Sequence, residues 1–199
     1  NSPGTWAVSI WATGAIVTNY WFGTVSDQRI KKNIKSVGSM MDVIKRIEVV
    51  SFDFIDSNHK RDECGIIAQQ VEEVFPNIVD KSVGVIPNIL KRASSYEKGE
   101  GTLKVFYPRQ ATDELEVGSR VKLMFGIVGV TEADSKKKGE YTEKVLRIAS
   151  DSIVVEWTSP DDVSDLSLIV YGKEVDDFRN VDKEQLGVMA IKGVQELSQ

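Results

Sequence analysis

An α+β fold is predicted for this chain, with antiparallel strands dominating its second half. Three observations predict it. Apolar and polar residues alternate with period two in several runs between residues 101 and 171. Two stretches, residues 66–75 and 182–198, carry helical spacing bounded by a cap or a proline. A sharp break in charge at residue 26 sets an uncharged, strand-like N-terminal segment apart from the rest. The expected order is a β-stranded segment over 1–25, then a domain over 26–199. That domain holds a mixed core of helices and antiparallel strands, a small β-barrel-like insert over about 100–172, and a terminal helix over about 182–198.

Bulk composition narrows the function classes. A chain of 199 residues, 41% hydrophobic and 28% charged, fits one folded domain, or one domain with a small appendage. Its net charge of −5 argues against a nucleic-acid partner, because phosphate contacts need clustered Lys and Arg. The longest basic run, Lys136-Lys137-Lys138, sits between Asp134 and Glu140 and reads as a solvated loop. One cysteine, Cys64, and one histidine, His59, permit neither an internal disulfide nor a Cys/His zinc site, so no metal or other cofactor is expected. No run reaches the roughly 18 apolar residues of a membrane span, and the N-terminal stretch lacks the basic region of a signal peptide. No membrane partner is expected. The abrupt start predicts that the sequence is a piece of something longer.

Residues 1–25 contain no Asp, Glu, Lys or Arg, yet hold three of the four tryptophans, Trp6, Trp11 and Trp21. Val8, Ile10 and Ala12 alternate with Ser9, Trp11 and Thr13, which reads as strand, and Gly4, Gly14 and Gly23 divide it into short pieces. Such a segment buries too little alone and needs other copies or an upstream body to cover its aromatic faces. A carbohydrate-binding surface is the rival reading of those aromatics.

Past the break, residues 31–37 read as a short strand or loop. Ser39 reads as an N-cap with Asp42 at the third helical position, followed by a stripe of Val43, Ile44 and Ile47. Residues 49–55 alternate as a strand. The polar run 56–63 fails as a calcium loop, lacking the required glycine and the closing glutamate. Residues 66–75 read as a helix with Ile67, Val71, Val74 and Phe75 on one side, ended by Pro76. Gln69 and Gln70 are its notable polar positions, read either as solvated amides or as support for a reaction site. Ile86-Pro87-Asn88-Ile89 reads as an extended connector. Five strands are expected in the insert, at residues 103–107, 120–125, 144–148, 152–157 and 166–171, with a turn at residues 115–118. Five such strands fit a small barrel or a curled sheet. In the terminal helix Asp182 is the expected cap, and Leu186, Ala190, Gly193 and Leu197 form a heptad-like seam, for packing within the chain or in a bundle of three.

The stretch Ser26-Asp27-Gln28-Arg29-Ile30-Lys31, together with the run Gly65-Ile66-Ile67-Ala68-Gln69-Gln70-Val71-Glu72-Glu73-Val74-Phe75-Pro76, resembles a known family. It is that of the C-terminal intramolecular chaperone domain of phage tailspikes, endosialidases and neck appendages, found also in large-virus proteins and in myelin regulatory factor. The resemblance rests on a Ser-Asp-x-x-x-Lys opening, matched by Ser26, Asp27 and Lys31, and on a Gly-x-Ile-Ala-Gln-x-Val-Glu-x-x-x-Pro helix. It implies a homotrimer whose residues 1–25 end a β-stranded fibre. It implies self-cleavage between Val25 and Ser26, and a virion fibre or tail appendage made in the host cytoplasm. The long insert has no counterpart in the simpler phage members. The family also ends in a helix of this kind, matched by Gln195-Glu196-Leu197.

Serine is a poor nucleophile until a base takes its proton. With His59 as the sole histidine no triad is plausible, so Lys31 is the expected base for Ser26. An ordinary lysine, with a pKa of about 10.4, is protonated at neutral pH, so the base must be desolvated or lie near another cation, for which Arg29 and Lys32 are candidates. Asp27 is expected to turn away, bonding Arg29 or backbone amides. A spacing of five puts Ser26 and Lys31 on opposite faces of a strand and more than about 100° apart on a helix. A dyad within one chain therefore needs a turn; otherwise it forms between chains. The competing reading is a non-enzymatic trimerisation or receptor-binding tip that stays attached, with Ser26 as a simple cap.

Overall fold

The computed structural model describes residues 26–56, 63–126, 139–160, 163 and 166–198. The chain divides into two compact units, residues 1–38 and 39–199. In the first, the described part is one turn followed by an extended, exposed run to Gly38. Residues 31–37 are thus a loop and not a strand.

The second unit opens with a short helix, α1 (Met41–Ile44). Strands β1 (Val50–Phe52) and β2 (Glu63–Gly65) pair antiparallel as a separate two-stranded sheet. The expected helix over 66–75 is α2 (Ala68–Val74), and Pro76 opens a 3-10 turn through Ile78, where its missing N–H leaves no donor unsatisfied. The expected capping of α1 by Ser39 is corrected: the cap residue is Met40, with no side-chain bond of its own. The capping group is Glu196, from the far end of the chain. Its carboxylate accepts from Met40 N at 3.0 Å, Met41 N at 3.2 Å and Ser39 Oγ at 2.7 Å.

The remaining strands form one eight-stranded antiparallel sheet. They are β3 (Val79–Val85), β4 (Lys91–Arg92), β5 (Ser95–Gly99), β6 (Thr102–Phe106), β7 (Arg120–Gly126), β8 (Gly139–Ile148), β9 (Ser152–Glu156) and β10 (Ser167–Val181). Their order is β3-β10-β7-β8-β9-β6-β5, with β4 also on β10. The barrel expectation is corrected here: the insert is a curled sheet and not a closed barrel. Two features prevent simple closure. The bridging chain attaches in two pieces, β4 to β10 and β5 to β6. Strand β10 also runs past the curl, pairing with β7 through Lys173 and then with β3 from Glu174 to Val181. The sheet therefore begins at Val79 and ends at Val181, wider than the run of alternation around residues 100–172.

Alternation decides the interior of the curl. Leu103 and Val105, then Val121, Leu123 and Phe125, then Ile153 and Val155, all point inward, joined by Leu168, Val170 and Trp157. Burial of this kind contributes about 25 cal/mol per Å² of apolar surface removed from water. One charged pair enters the interior: Lys91 Nζ lies 2.9 Å from Asp113, whose side chain is buried and which also accepts from Gln110 N. The chain crosses itself at Gly172, where a Cβ would lie 1.7 Å from the carbonyl oxygen of Ile86, so only glycine fits.

A second, smaller core joins the helices. Val71, Ile78 and Met189 are buried there, with Val43, Ile44, Phe75 and Leu186 packed against them. Met189 and Leu186 come from α3 (Lys183–Leu197), capped as expected by Asp182, which accepts from Glu184 N and Gln185 N. The heptad-like seam is split between two faces. Leu186 and Gly193 face inward, and Gly193 lies so close to Ile44 that a Cβ would meet its Cδ1 at 2.8 Å. Ala190 and Leu197 lie on an exposed face with Ile191 and Val194.

Candidate active site

Ser26 and Lys31 meet across a single 3-10 turn, Gln28–Ile30. Asp27 begins the turn in extended conformation, and its carboxylate accepts from Arg29 N at 2.8 Å. The same carboxylate takes the Arg29 side chain in a fork, from Nη2 at 2.7 Å and Nε at 3.0 Å. Two oxygens against two nitrogens is the geometry in which Arg–carboxylate pairs are strongest. The Arg29 side chain, then its backbone amide, hold the Asp27 carboxyl below the usual carboxylate range; Asp27 in turn raises the Arg29 guanidinium. The turn is closed by Ile30 N to Asp27 O at 3.2 Å and Lys31 N to Gln28 O at 3.1 Å.

This turn resolves the spacing problem. Neither strand nor helix would bring positions 26 and 31 together, but one tight turn reverses the chain enough for the long lysine to reach back. Lys31 Nζ donates to Ser26 Oγ at 2.6 Å. The carboxylate of Asp27, which would hold a lysine as its ammonium form, is taken up by Arg29. Ser26, Asp27, Arg29 and Lys31 are all exposed.

The structure thus groups Ser26, Asp27 and Lys31 in one turn. Gln69 and Gln70 lie on α2, in the other unit. Gln69 is exposed, while Oε1 of Gln70 is sheltered and has no hydrogen-bond partner among the described residues. Val25 and His59 lie outside the described residues. Cys64 is exposed on β2. Sequence reasoning missed the capping of α1 by Glu196, a contact made by residues more than 150 positions apart.

The turn also stands at the head of a match to known proteins. Residues 26–80 match the family model described as the chaperone of endosialidase. Both motifs of the sequence resemblance fall inside this segment, and Ser26 is its first residue. The matched segment covers the Ser26–Lys31 turn, α1, the β1–β2 pair and α2, and ends as β3 begins. The family is named as a peptidase family, of serine type. The chain is also 24% identical, over 223 aligned positions, to an uncharacterized protein, VP1, of Micromonas pusilla reovirus. That alignment takes in 87% of this chain but 11% of the viral protein, so the chain spans about a tenth of the length of its relative. No solved structure matches the chain.

Proposed function

We propose that the chain is a self-cleaving intramolecular chaperone. It assembles an upstream fibre-like segment as a homotrimer, then cuts the bond between Val25 and Ser26 and is released. The observation that carries this reading is the contact of Lys31 Nζ with Ser26 Oγ at the first residue of the matched segment.

Neutral Lys31 takes the proton of Ser26 Oγ, and Oγ attacks the carbonyl carbon of Val25. The tetrahedral intermediate breaks its C–N bond, and the proton passes from Lys31 to the nitrogen of Ser26. An ester now joins Val25 to Ser26 Oγ. One water hydrolyses it, leaving Val25 with a carboxylate and Ser26 with a free amine and a restored hydroxyl. Asp27 and Arg29 are positioning residues that hold the turn. Gln69 or Gln70 serves as a supporting amide of the assembled particle.

Exposure of the turn supports a dependence on assembly. A lysine base works neutral, which desolvation favours, and oxyanion donors work best where water is excluded. Covering the turn with neighbouring chains supplies both. The exposed apolar face of α3 supports the trimer. Release then leaves a fibre without the element that assembled it, which makes it kinetically resistant to unfolding. The reovirus relative supports a virion-associated protein, made in the host cytoplasm.

Intact-mass measurement of freshly purified chain, beside Ser26→Ala and Lys31→Ala, tests the reading. Two fragments meeting between Val25 and Ser26 are expected in the parent, a full-length species in Ser26→Ala, and strongly slowed cutting in Lys31→Ala. A full-length parent that forms a trimer would instead make this an assembly tip that stays attached.

A further inference from the structure

An open groove of ≈ 860 Å³ runs beside the two-stranded sheet of the second unit. Its apolar lining includes Phe52 and Phe54, packed edge to face with centroids 5.2 Å apart, with Val49, Ile67, Val181 and Leu186. Phe52 lies against Gly65, where a Cβ would meet its ring at 2.8 Å, and both aromatic rings line the groove. Phe54 is 56% exposed and Ile67 39%. Large apolar side chains grouped this openly mark an interaction surface.

Two features select the occupant. The first is the unfinished sheet. Among the described residues β1 and β2 pair only with each other, three residues each. A two-stranded sheet of that length is marginal alone, and its free edge can take a further strand. The second is charge. The charged side chains of the lining are Glu63, Lys183 and Arg179; the first two are of opposite sign, and Arg179 is already neutralised by Glu72 at 2.6 Å and Asp177 at 3.0 Å. Glu72 also takes Lys81 at 2.6 Å, so two cations meet two carboxylates. The lining thus carries no net charge that would select a charged occupant, and it suits an uncharged extended peptide. Residues 1–25 have that chemistry: no charged side chain, alternating strand pattern, and Trp6, Trp11 and Trp21 to fill apolar space.

We propose that this groove is the client site of the chaperone, and that its client is an extended, uncharged, aromatic-bearing peptide of the kind residues 1–25 supply. The proposal rests on the chaperone reading above but not on self-cleavage. It makes the groove hold the strand-forming segment until three copies have met.

Tryptophan fluorescence of the full chain tests it. Three of the four tryptophans belong to the client segment, and the fourth, Trp157, is 3% exposed in the curled sheet and gives a constant background. The measurement uses Ser26→Ala chains, so the segment stays attached whether or not the parent cuts itself. Phe54→Asp and Ile67→Asp change exposed side chains, and circular dichroism checks that each variant is folded. Both variants are expected to show red-shifted emission and steeper quenching by acrylamide than Ser26→Ala alone. Val117→Asp, on an exposed turn of the insert, is expected to change neither. Equal quenching in folded groove variants would overturn the proposal. So would a fall in light-scattering mass with quenching unchanged, which would give the groove to a second copy of the domain. Failure of the parent to cleave would remove the peptidase step and leave this result standing.

Discussion

Asp27 decides the geometry at Ser26 although it takes no part in the proposed proton transfer. Its carboxylate caps the 3-10 turn through Arg29 N and grips the Arg29 side chain, and the turn is what lets Lys31 reach back to Ser26 Oγ. Replacing Asp27 by Ala removes cap and fork together and leaves residues 26–31 to sample extended conformations. Cleavage in Asp27→Ala is therefore expected to slow by at least about tenfold, since small misplacements of reacting groups carry penalties of that order. Asp27→Asn keeps an acceptor for Arg29 N and is expected to fall between parent and Ala. A time course of intact mass checks the order; equal rates in all three would mean that the turn forms without its cap. The contact of Lys31 with Ser26 was largely legible in sequence. The residue types and their order named Ser26 and Lys31, and the spacing required a turn for any contact within one chain. What the spacing could not supply was the cause of the turn, the fork between Asp27 and Arg29.

Elements were legible where their stability is local. Strands β6, β7 and β9 alternate because one face is buried, and Asp182 caps α3 from two residues away. Strands β3 and β5 were not picked out: in Val79–Val85 the alternation of Val79, Val83 and Val85 is broken by Lys81, Ser95–Gly99 carries a single large apolar side chain, Tyr96, and both pair with other strands, β10 and β6. The second half of β10, rich in charge, is held by β3 in the same way. Most hidden was the tie between α1 and α3, where Glu196 takes two amides and the Ser39 hydroxyl, with Lys192 at 3.6 Å on its own helix. The Ser39 hydroxyl, then the Met40 amide, lower the Glu196 pKa from its ordinary 4.5. A carboxylate with a depressed folded pKa contributes stability that is present above its unfolded value and lost as pH falls through the folded one. Glu196→Gln is thus expected to lower the thermal midpoint at neutral pH. The gap from the parent should narrow as pH drops below about 4.5. A gap constant across that window would mean that the ionised carboxylate is not what ties α3 to α1.

At the scale of the whole molecule, the two faces of α3 divide the work. One side, with Leu186, Met189 and Gly193, is spent on the domain's own core. The adjoining face leaves Ile191, Val194 and Leu197 in water, Val194 at 66% and Leu197 at 75% exposure. On a helix already docked, such a stripe suits a bundle of copies. The proposed chemistry points the same way, because a solvent-open turn needs covering before Lys31 can act as a base. On the proposed reading, assembly and cutting form one sequence: copies meet through α3, the turns are covered, and the bond before Ser26 breaks. Val194→Asp combined with Leu197→Asp places two carboxylates on that stripe without touching the inner face. The doubly changed chain is expected to remain folded by circular dichroism, to fall to monomer mass by light scattering, and to stop cleaving. The informative result is the pairing of the last two. A monomer that still cuts itself with first-order kinetics at the parental rate would detach the chemistry from assembly and make Ser26 and Lys31 sufficient within one chain. A monomer that stays intact would make the cut a report that the copies have met.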